Sequence, residues 1–180
     1  AAWDAKVTAW LKHLRTQART GISAPDQVLD VRKLLDEMRL IKSPFEMDLM
    51  HRSANIAAAA HQRAMQFTKP GMMEYEVEAE FLHEFYRRGA QAPAYTSIVA
   101  GGANACTLHY NANHAQLRDG DLLLIDAGCE LDGYASDITR TFPVNGRFSP
   151  AQRDLYQLVL ASQAAAIEKV VPGQHWNAPH

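Results

Sequence analysis

Apolar residues recur at helical spacing through the first half of the chain. This period predicts helices over 3–19, 30–39, 44–67 and 74–88. Asp30 is the expected N-cap of the second helix. The third begins at Ser43-Pro44-Phe45-Glu46, where serine caps, proline takes the first helical position and glutamate completes a capping box. An Ala57–Ala60 run inside it indicates a close approach to another element.

Beyond residue 90 the pattern changes to short apolar runs between turn residues. Strands are predicted over 95–100, 106–110, 122–129 and 134–144. Asp132-Gly133 joins the last two as a two-residue hairpin turn. Ser149-Pro150 then begins a helix to about 170. We therefore expect an α+β fold, in which the helices over 44–67, 74–88 and 150–170 pack on one face of a curved antiparallel sheet centred on the 122–144 hairpin.

The hairpin carries two carboxylates in defined register. If Asp132-Gly133 are the turn residues, Leu131 lies opposite Tyr134, and counting back places Asp126 opposite Thr139. Asp137 is two residues from Thr139 and therefore points to the same face. The two aspartates become diagonal cross-strand neighbours with backbones ~7–8 Å apart. A slip of one residue would place them on opposite faces.

Two interpretations of this pair remain open on the residues alone. Burying a carboxylate after an apolar run costs several kcal/mol unless a partner compensates it. One compensation is a shared hard cation such as manganese, which oxygen ligands favour. The other is structural: Asp126 caps a turn and Asp137 pairs with Arg140.

Composition narrows the classes of partner. With a net charge of −2, the chain gives no electrostatic reason to expect a nucleic-acid or membrane partner. Its two cysteines, Cys106 and Cys129, are too few for a disulfide framework, and we expect both to be reduced, buried thiols of a cytoplasmic protein. Spacing places three histidines on helix surfaces: His51, His61 and His83.

Longer motifs resemble a known family. The stretches Ile125-Asp126-Ala127-Gly128-Cys129-Glu130 and Gly133-Tyr134-Ala135-Ser136-Asp137-Ile138-Thr139-Arg140-Thr141-Phe142-Pro143 resemble the Xaa-Pro aminopeptidases (aminopeptidase P) of the pita-bread metallopeptidase family M24. Upstream, Glu37-Met38-Arg39-Leu40-Ile41-Lys42-Ser43-Pro44 and Leu108-His109-Tyr110 are similar to it as well. The resemblance implies that the chain forms half of a pita-bread fold.

The resemblance also implies a site. Sites of this family hold two divalent metal ions, usually Mn²⁺, bound by two aspartates, one histidine and two glutamates. Asp126 and Asp137 match the two aspartates, whereas the remaining histidine and glutamates are expected beyond the end of the chain. His109 matches a catalytic, non-ligand histidine, and Tyr95 aligns with a residue that lines the substrate site.

The implied activity is removal of the N-terminal residue from peptides with proline at the second position, by attack of a metal-activated hydroxide. Two alternatives stay open: a prolidase, which cleaves Xaa-Pro dipeptides, and a metal-free pita-bread module that binds peptides or proteins. Residues 1–41 are expected to end an N-terminal domain that helps the protein form a homo-oligomer. Residues 42–180 would be the first half of the catalytic domain, truncated and inactive alone.

Overall fold

The computed structural model describes residues 2–180 and divides the chain into two compact units, Ala1–Lys42 and Ser43–His180. The first unit contains helices α1 (Ala2–Thr16) and α2 (Val31–Leu40). Asp30 caps α2, because its carboxylate accepts a hydrogen bond from the backbone N–H of Arg32 at 3.0 Å. That this unit ends a larger N-terminal domain stays a prediction.

Two helices of the second unit form where the sequence predicts them. Helix α3 (Pro44–Phe67) begins with the expected capping box, in which the Ser43 N–H donates to Glu46 at 2.6 Å. Helix α4 (Glu74–Arg87) follows. The predicted close approach occurs on α3, since Ala57, Ala60 and Ala64 are fully buried. Small side chains let α3 lie close to α4 and to the hairpin.

The strands pair in antiparallel fashion throughout. One sheet has the order β2 (Ile98–Gly101), β3 (Leu122–Ala127), β6 (Ile138–Pro143), and the other joins β1 (Ala92–Pro93), β4 (Cys129–Leu131) and β5 (Tyr134–Ala135). Register is continuous across the break between β3 and β4: Ala127 pairs with Ile138, and Glu130 pairs with Ala135. The segments from β3 to β6 therefore form one long hairpin, with β3 central in its sheet.

Burial alternates along β3 and separates the two faces of the hairpin. Leu123, Ile125 and Ala127 are fully buried and join the core beneath α3 and α4, which also contains Phe81 and Phe85. The intervening side chains, Asp126 among them, are only partly buried. The helices thus cover one face of the hairpin, and the carboxylates lie on the other.

Two predictions about secondary structure and packing were wrong. Residues 106–110 are not a strand: a 3-10 helix spans Gly102–Cys106, and the next residues form a turn that includes His109 at φ 54°. Helix α5 (Pro150–Glu168) forms, but none of its described residues is fully buried, so it does not pack on the sheet as expected. Among residues 2–180, no helix combines the length and apolarity that crossing a bilayer requires.

Two side chains also differ from expectation. Cys106 is exposed, because it ends a 3-10 helix instead of beginning the predicted strand, whereas Cys129 is buried as predicted. His61 is buried rather than on a helix surface, with its ring edge-on to Phe81 at 4.9 Å between centroids. It lies one residue after Ala60 and three before Ala64, on the helix face that meets the core.

Burial of His61 predicts a pH-dependent stability. Loss of hydration lowers its pKa below 6.5; the carbonyls of Ala127 and Ile138 oppose this, but neither ring nitrogen forms a well-aligned hydrogen bond with the described atoms. As the pH falls through about 6.5, the unfolded chain therefore takes up a proton that the folded chain does not, and the free energy of unfolding decreases.

Urea denaturation at pH 7.5 and 5.5 measures this effect. We expect His61→Leu to remove much of the pH dependence and His83→Leu, a change at an exposed histidine on α4, to leave it intact. An equal pH dependence in wild type and His61→Leu would contradict the assignment.

Candidate metal centre

The hairpin register places Asp126 and Asp137 on one face. Leu131 pairs with Tyr134, and Asp126 pairs with Thr139, as the Asp132-Gly133 turn predicts. Both turn residues adopt positive φ, 50° and 85°, which is the geometry of a type I′ turn. The turn is held from outside as well, since the Gln91 side chain accepts from the Asp132 N–H at 2.8 Å and donates to its carboxylate at 3.1 Å.

The hydroxyl of Tyr95 contacts both carboxylates. It lies 2.5 Å from Oδ1 of Asp126 and 2.9 Å from Oδ1 of Asp137. Two oxygens that approach one atom this closely must themselves be near each other, so the side chains converge. Arg140 instead donates to the carbonyl of Thr139 at 2.8 Å, and no ion pair joins it to Asp137 within the described part of the chain.

A single proton cannot satisfy both carboxylates. A phenol has one O–H, so Tyr95 donates to only one of the two at any moment. Burial, the hydrogen bonds to the two aspartates and their negative charges raise the pKa of Tyr95 far above its usual value. The hydroxyl therefore stays protonated, and the two like charges remain incompletely compensated.

His109 lies in the same cleft. The cleft has a volume of about 370 Å³, and its lining includes Tyr95, His109, Asp126 and Asp137. His109 is in an exposed turn in the left-handed region, so the chain reverses there and presents the imidazole at the edge of the cleft. All four residues selected from the sequence thus line one cleft.

Sequence reasoning missed three other lining residues: Thr96, Ile98 and Asn111. Ile98 begins β2 and lies directly opposite Asp126 in β3, and Thr96 lies two residues before that strand. That pairing joins residues far apart in sequence, and no turn motif sets its register. Asn111 follows the turn around His109, one residue beyond the strand that was wrongly predicted over 106–110. Only the Ile98 strand itself gave a signal, through its apolar run.

The donors suit a hard cation but form only part of a binding set. Carboxylate oxygens are preferred ligands of Mg²⁺, Ca²⁺ and Mn²⁺. Within residues 2–180, no group of three or more His, Cys, Asp or Glu side chains is arranged to hold a metal ion. The converging, under-compensated pair therefore fits a divalent cation whose other ligands come from elsewhere.

A comparison with protein families gives the class. The profile described as metallopeptidase family M24 matches residues 48–180. That span covers the second unit from the first turns of α3 onward, including both aspartates. The chain belongs to metallopeptidase family M24.

Similar proteins and similar solved structures agree with this family assignment. The chain is 59% identical over 168 residues to the Xaa-Pro aminopeptidase of Haemophilus influenzae, an alignment that covers 93% of this chain and 38% of the relative. The structure of Pseudomonas aeruginosa aminopeptidase PepP matches with a TM-score of 0.96 and 50% identity, over 99% of this chain and 40% of that one. A zinc-substituted Escherichia coli aminopeptidase P in complex with product matches with a TM-score of 0.89 and 50% identity, over 93% of this chain and 38% of that one.

These matches confirm the predicted fold class: the chain is α+β and shares part of the pita-bread fold of aminopeptidase P. The matches are also partial, because the chain spans less than half the length of the relatives it matches. The resemblance to Xaa-Pro aminopeptidases found in the motifs is likewise confirmed. Asp126, Asp137, His109 and Tyr95 line one cleft, and their roles as metal-binding, catalytic and substrate-binding residues stay predictions.

Proposed function

We propose that residues 42–180 are the first half of the catalytic domain of a metallo-aminopeptidase that releases the N-terminal residue from peptides with proline at the second position. The observation that carries the proposal is the convergence of Asp126 and Asp137 on the hydroxyl of Tyr95. The named relatives are Xaa-Pro aminopeptidases, which favours this activity over a prolidase.

Asp126 and Asp137 would hold two divalent ions, which we propose to be Mn²⁺, together with ligands from outside this chain. Bound in pairs, such ions polarise a carbonyl and lower the pKa of water. The hairpin fixes the spacing of the two carboxylates, since Asp126 projects from β3 where it pairs with β6, and Asp137 directly precedes β6. His109 would donate a hydrogen bond to the oxyanion that develops on the scissile carbonyl. Tyr95 would form one wall of the substrate site and orient the two carboxylates.

A peptide assay on the full-length protein tests the activity. With added Mn²⁺, we expect hydrolysis of an Xaa-Pro-Yaa tripeptide and little hydrolysis of the matched Xaa-Ala-Yaa peptide. An Xaa-Pro dipeptide serves as the third substrate. Preference for the dipeptide would assign a prolidase, and no hydrolysis together with peptide binding and no metal content would assign a metal-free binding module.

The isolated chain is expected to be inactive. Hard divalent cations take about six ligands in stable sites, and two carboxylates leave most of these to water. Calorimetric titration of Mn²⁺ into the chain should therefore show at most one weak site. Binding at two sites with micromolar affinity, or cleavage of an Xaa-Pro-Yaa peptide, would show that the chain is more complete than we propose.

We further propose a cytoplasmic homo-oligomer. An exposed free thiol at Cys106 suits a reducing compartment. The homo-oligomer is proposed because the family resemblance implies an N-terminal domain that helps the protein oligomerise, which residues 1–41 would end. Cell fractionation tests the location. Sedimentation of the full-length protein tests the assembly, and a monomer at all concentrations would contradict it.

A further inference from the structure

Glu74, the first residue of α4, is a fully buried carboxylate. Its two oxygens accept four hydrogen bonds: Oε1 from the Gly101 N–H and the Asn104 amide at 2.8 and 3.0 Å, and Oε2 from the Tyr110 hydroxyl and the Ala115 N–H at 2.7 and 2.9 Å. Burial by itself would raise the pKa of Glu74, but the hydrogen bonds, from the Gly101 N–H first, outweigh it and lower the pKa. The group is therefore ionised at neutral pH.

All four donors come from one segment, residues 101–115, which we call the histidine loop. Gly101 and Ala115 are its two ends, and Asn104 and Tyr110 lie inside it. The loop has no strand ladder of its own, because the predicted strand over 106–110 does not form. The Glu74 side chain thus holds the loop by hydrogen bonds, in place of the backbone pairing that a strand would have had.

His109 is the neighbour of one of these donors. The Tyr110 hydroxyl reaches inward to Glu74, while His109 lines the cleft with Asp126 and Asp137. His109 holds φ at 54°, a conformation that a non-glycine residue adopts only when its surroundings enforce it. Fixing Tyr110 therefore fixes the backbone that presents the imidazole.

We propose that Glu74 is a positioning residue for His109: it gathers the histidine loop around one buried carboxylate and so sets the placement of the imidazole in the cleft. The proposal rests on the role of His109 in the proposed function. A carboxylate suits the task because both of its oxygens accept. Glutamine would turn an N–H₂ group toward one of the two donor pairs, and those donors would lose their acceptor.

Glu74→Gln in the full-length, Mn²⁺-loaded protein tests this on the Xaa-Pro-Yaa tripeptide. We expect kcat to fall about 10- to 100-fold, because a displacement of about 1 Å in a reacting group costs up to about 10² in rate. KM should change little and metal content should not change, since neither aspartate lies in the loop. Glu80→Gln, which breaks the ion pair with Arg63 on the neighbouring helix α3, is the control and should leave kcat within about twofold.

A double-mutant cycle with His109→Ala separates positioning from general destabilisation. If Glu74 acts through His109, Glu74→Gln should lower kcat strongly in the wild-type background and by less than about twofold in the His109→Ala background. An equal loss in both backgrounds, or no loss in either, would overturn the role of Glu74. If His109→Ala alone leaves kcat unchanged, the proposed role of His109 fails instead.

Tyr110→Phe covers the case in which Glu74→Gln does not fold. It removes one of the four donors and leaves the other three on Glu74. We expect a smaller fall in kcat, about 3- to 10-fold, that again disappears in the His109→Ala background. A kcat equal to that of the wild type would contradict the proposal.

Discussion

Asp137→Asn in the full-length protein is expected to lower kcat/KM by at least about 10³-fold and to remove bound Mn²⁺. Asparagine keeps the size of the side chain but removes its charge and one anionic oxygen donor. Metal content measured by atomic emission and hydrolysis of an Xaa-Pro-Yaa peptide should fall together. Asp126→Asn should behave in the same way, because the two carboxylates converge on one point.

The loss should not come from unfolding. The two carboxylates share a single phenol proton in the chain, so removing one charge relieves repulsion. Metal-free Asp137→Asn is therefore expected to unfold at the same urea concentration as metal-free wild type, or a higher one. Glu130→Gln removes the same charge from an exposed position of the same hairpin and should keep both metal and activity. A variant at Asp137 that retains its metal and a tenth of its activity would contradict the assignment.

Gly128→Ala is expected to lower the free energy of unfolding by at least about 3 kcal/mol. Gly128 lies at the break between β3 and β4, and a Cβ built there would be 1.7 Å from the carbonyl oxygen of Ser136 and 2.5 Å from its carbon. Both are backbone atoms of the facing arm of the hairpin, so relief requires the two arms to separate. Ser136 is itself held by hydrogen bonds with Cys129, including its N–H to the Cys129 carbonyl at 2.9 Å.

Urea denaturation measures the effect, with Gly146→Ala as the matched control. Gly146 has positive φ, 76°, but nothing lies within 4 Å of the position that a methyl group would take there, so alanine should cost only about 1 kcal/mol of backbone strain. The alanine methyl group would press on Ser136, which directly precedes Asp137. Gly128→Ala protein that still folds should therefore also bind Mn²⁺ more weakly. Equal stability of the two variants would show that the hairpin is looser at Gly128 than the structure indicates.

The sequence was most informative where a short motif determines how distant residues pair. Asp132-Gly133 favours a two-residue turn, and the turn fixes the register of every pair behind it, including Asp126 with Thr139. Proline and serine at the start of α3 fixed that helix end in the same local way. These rules were sufficient to bring the two carboxylates to one face.

Other features depended on contacts that no local pattern encodes. The loop around His109 is shaped by Glu74, which lies 35 residues earlier in the sequence, so its short apolar run was mistaken for a strand. The contact of Tyr95 with both aspartates depends on the pairing of β2 with β3, across a long connection. His61 is the exception, since its spacing from Ala57, Ala60 and Ala64 could have predicted its burial.

The prediction that α5 packs on the sheet was wrong for a different reason. Its sequence has the cap and apolar content of a helix, and the helix forms, but amphipathic content does not say which surface it meets. Within the described chain its apolar residues remain exposed, including Leu155 and Leu158. Helix formation is a local property of these residues, whereas the surface they cover is not.

Anomalous diffraction from Mn²⁺-soaked crystals of the full-length protein tests the central claim most directly. Data collected at the manganese edge locate the ions without reference to activity. We expect two peaks about 3.5–4 Å apart, each within about 2.0–2.4 Å of carboxylate oxygens that include those of Asp126 and Asp137. Peaks that lie elsewhere, or an ordered cleft with Tyr95 still joining the two carboxylates and no anomalous signal, would contradict the account.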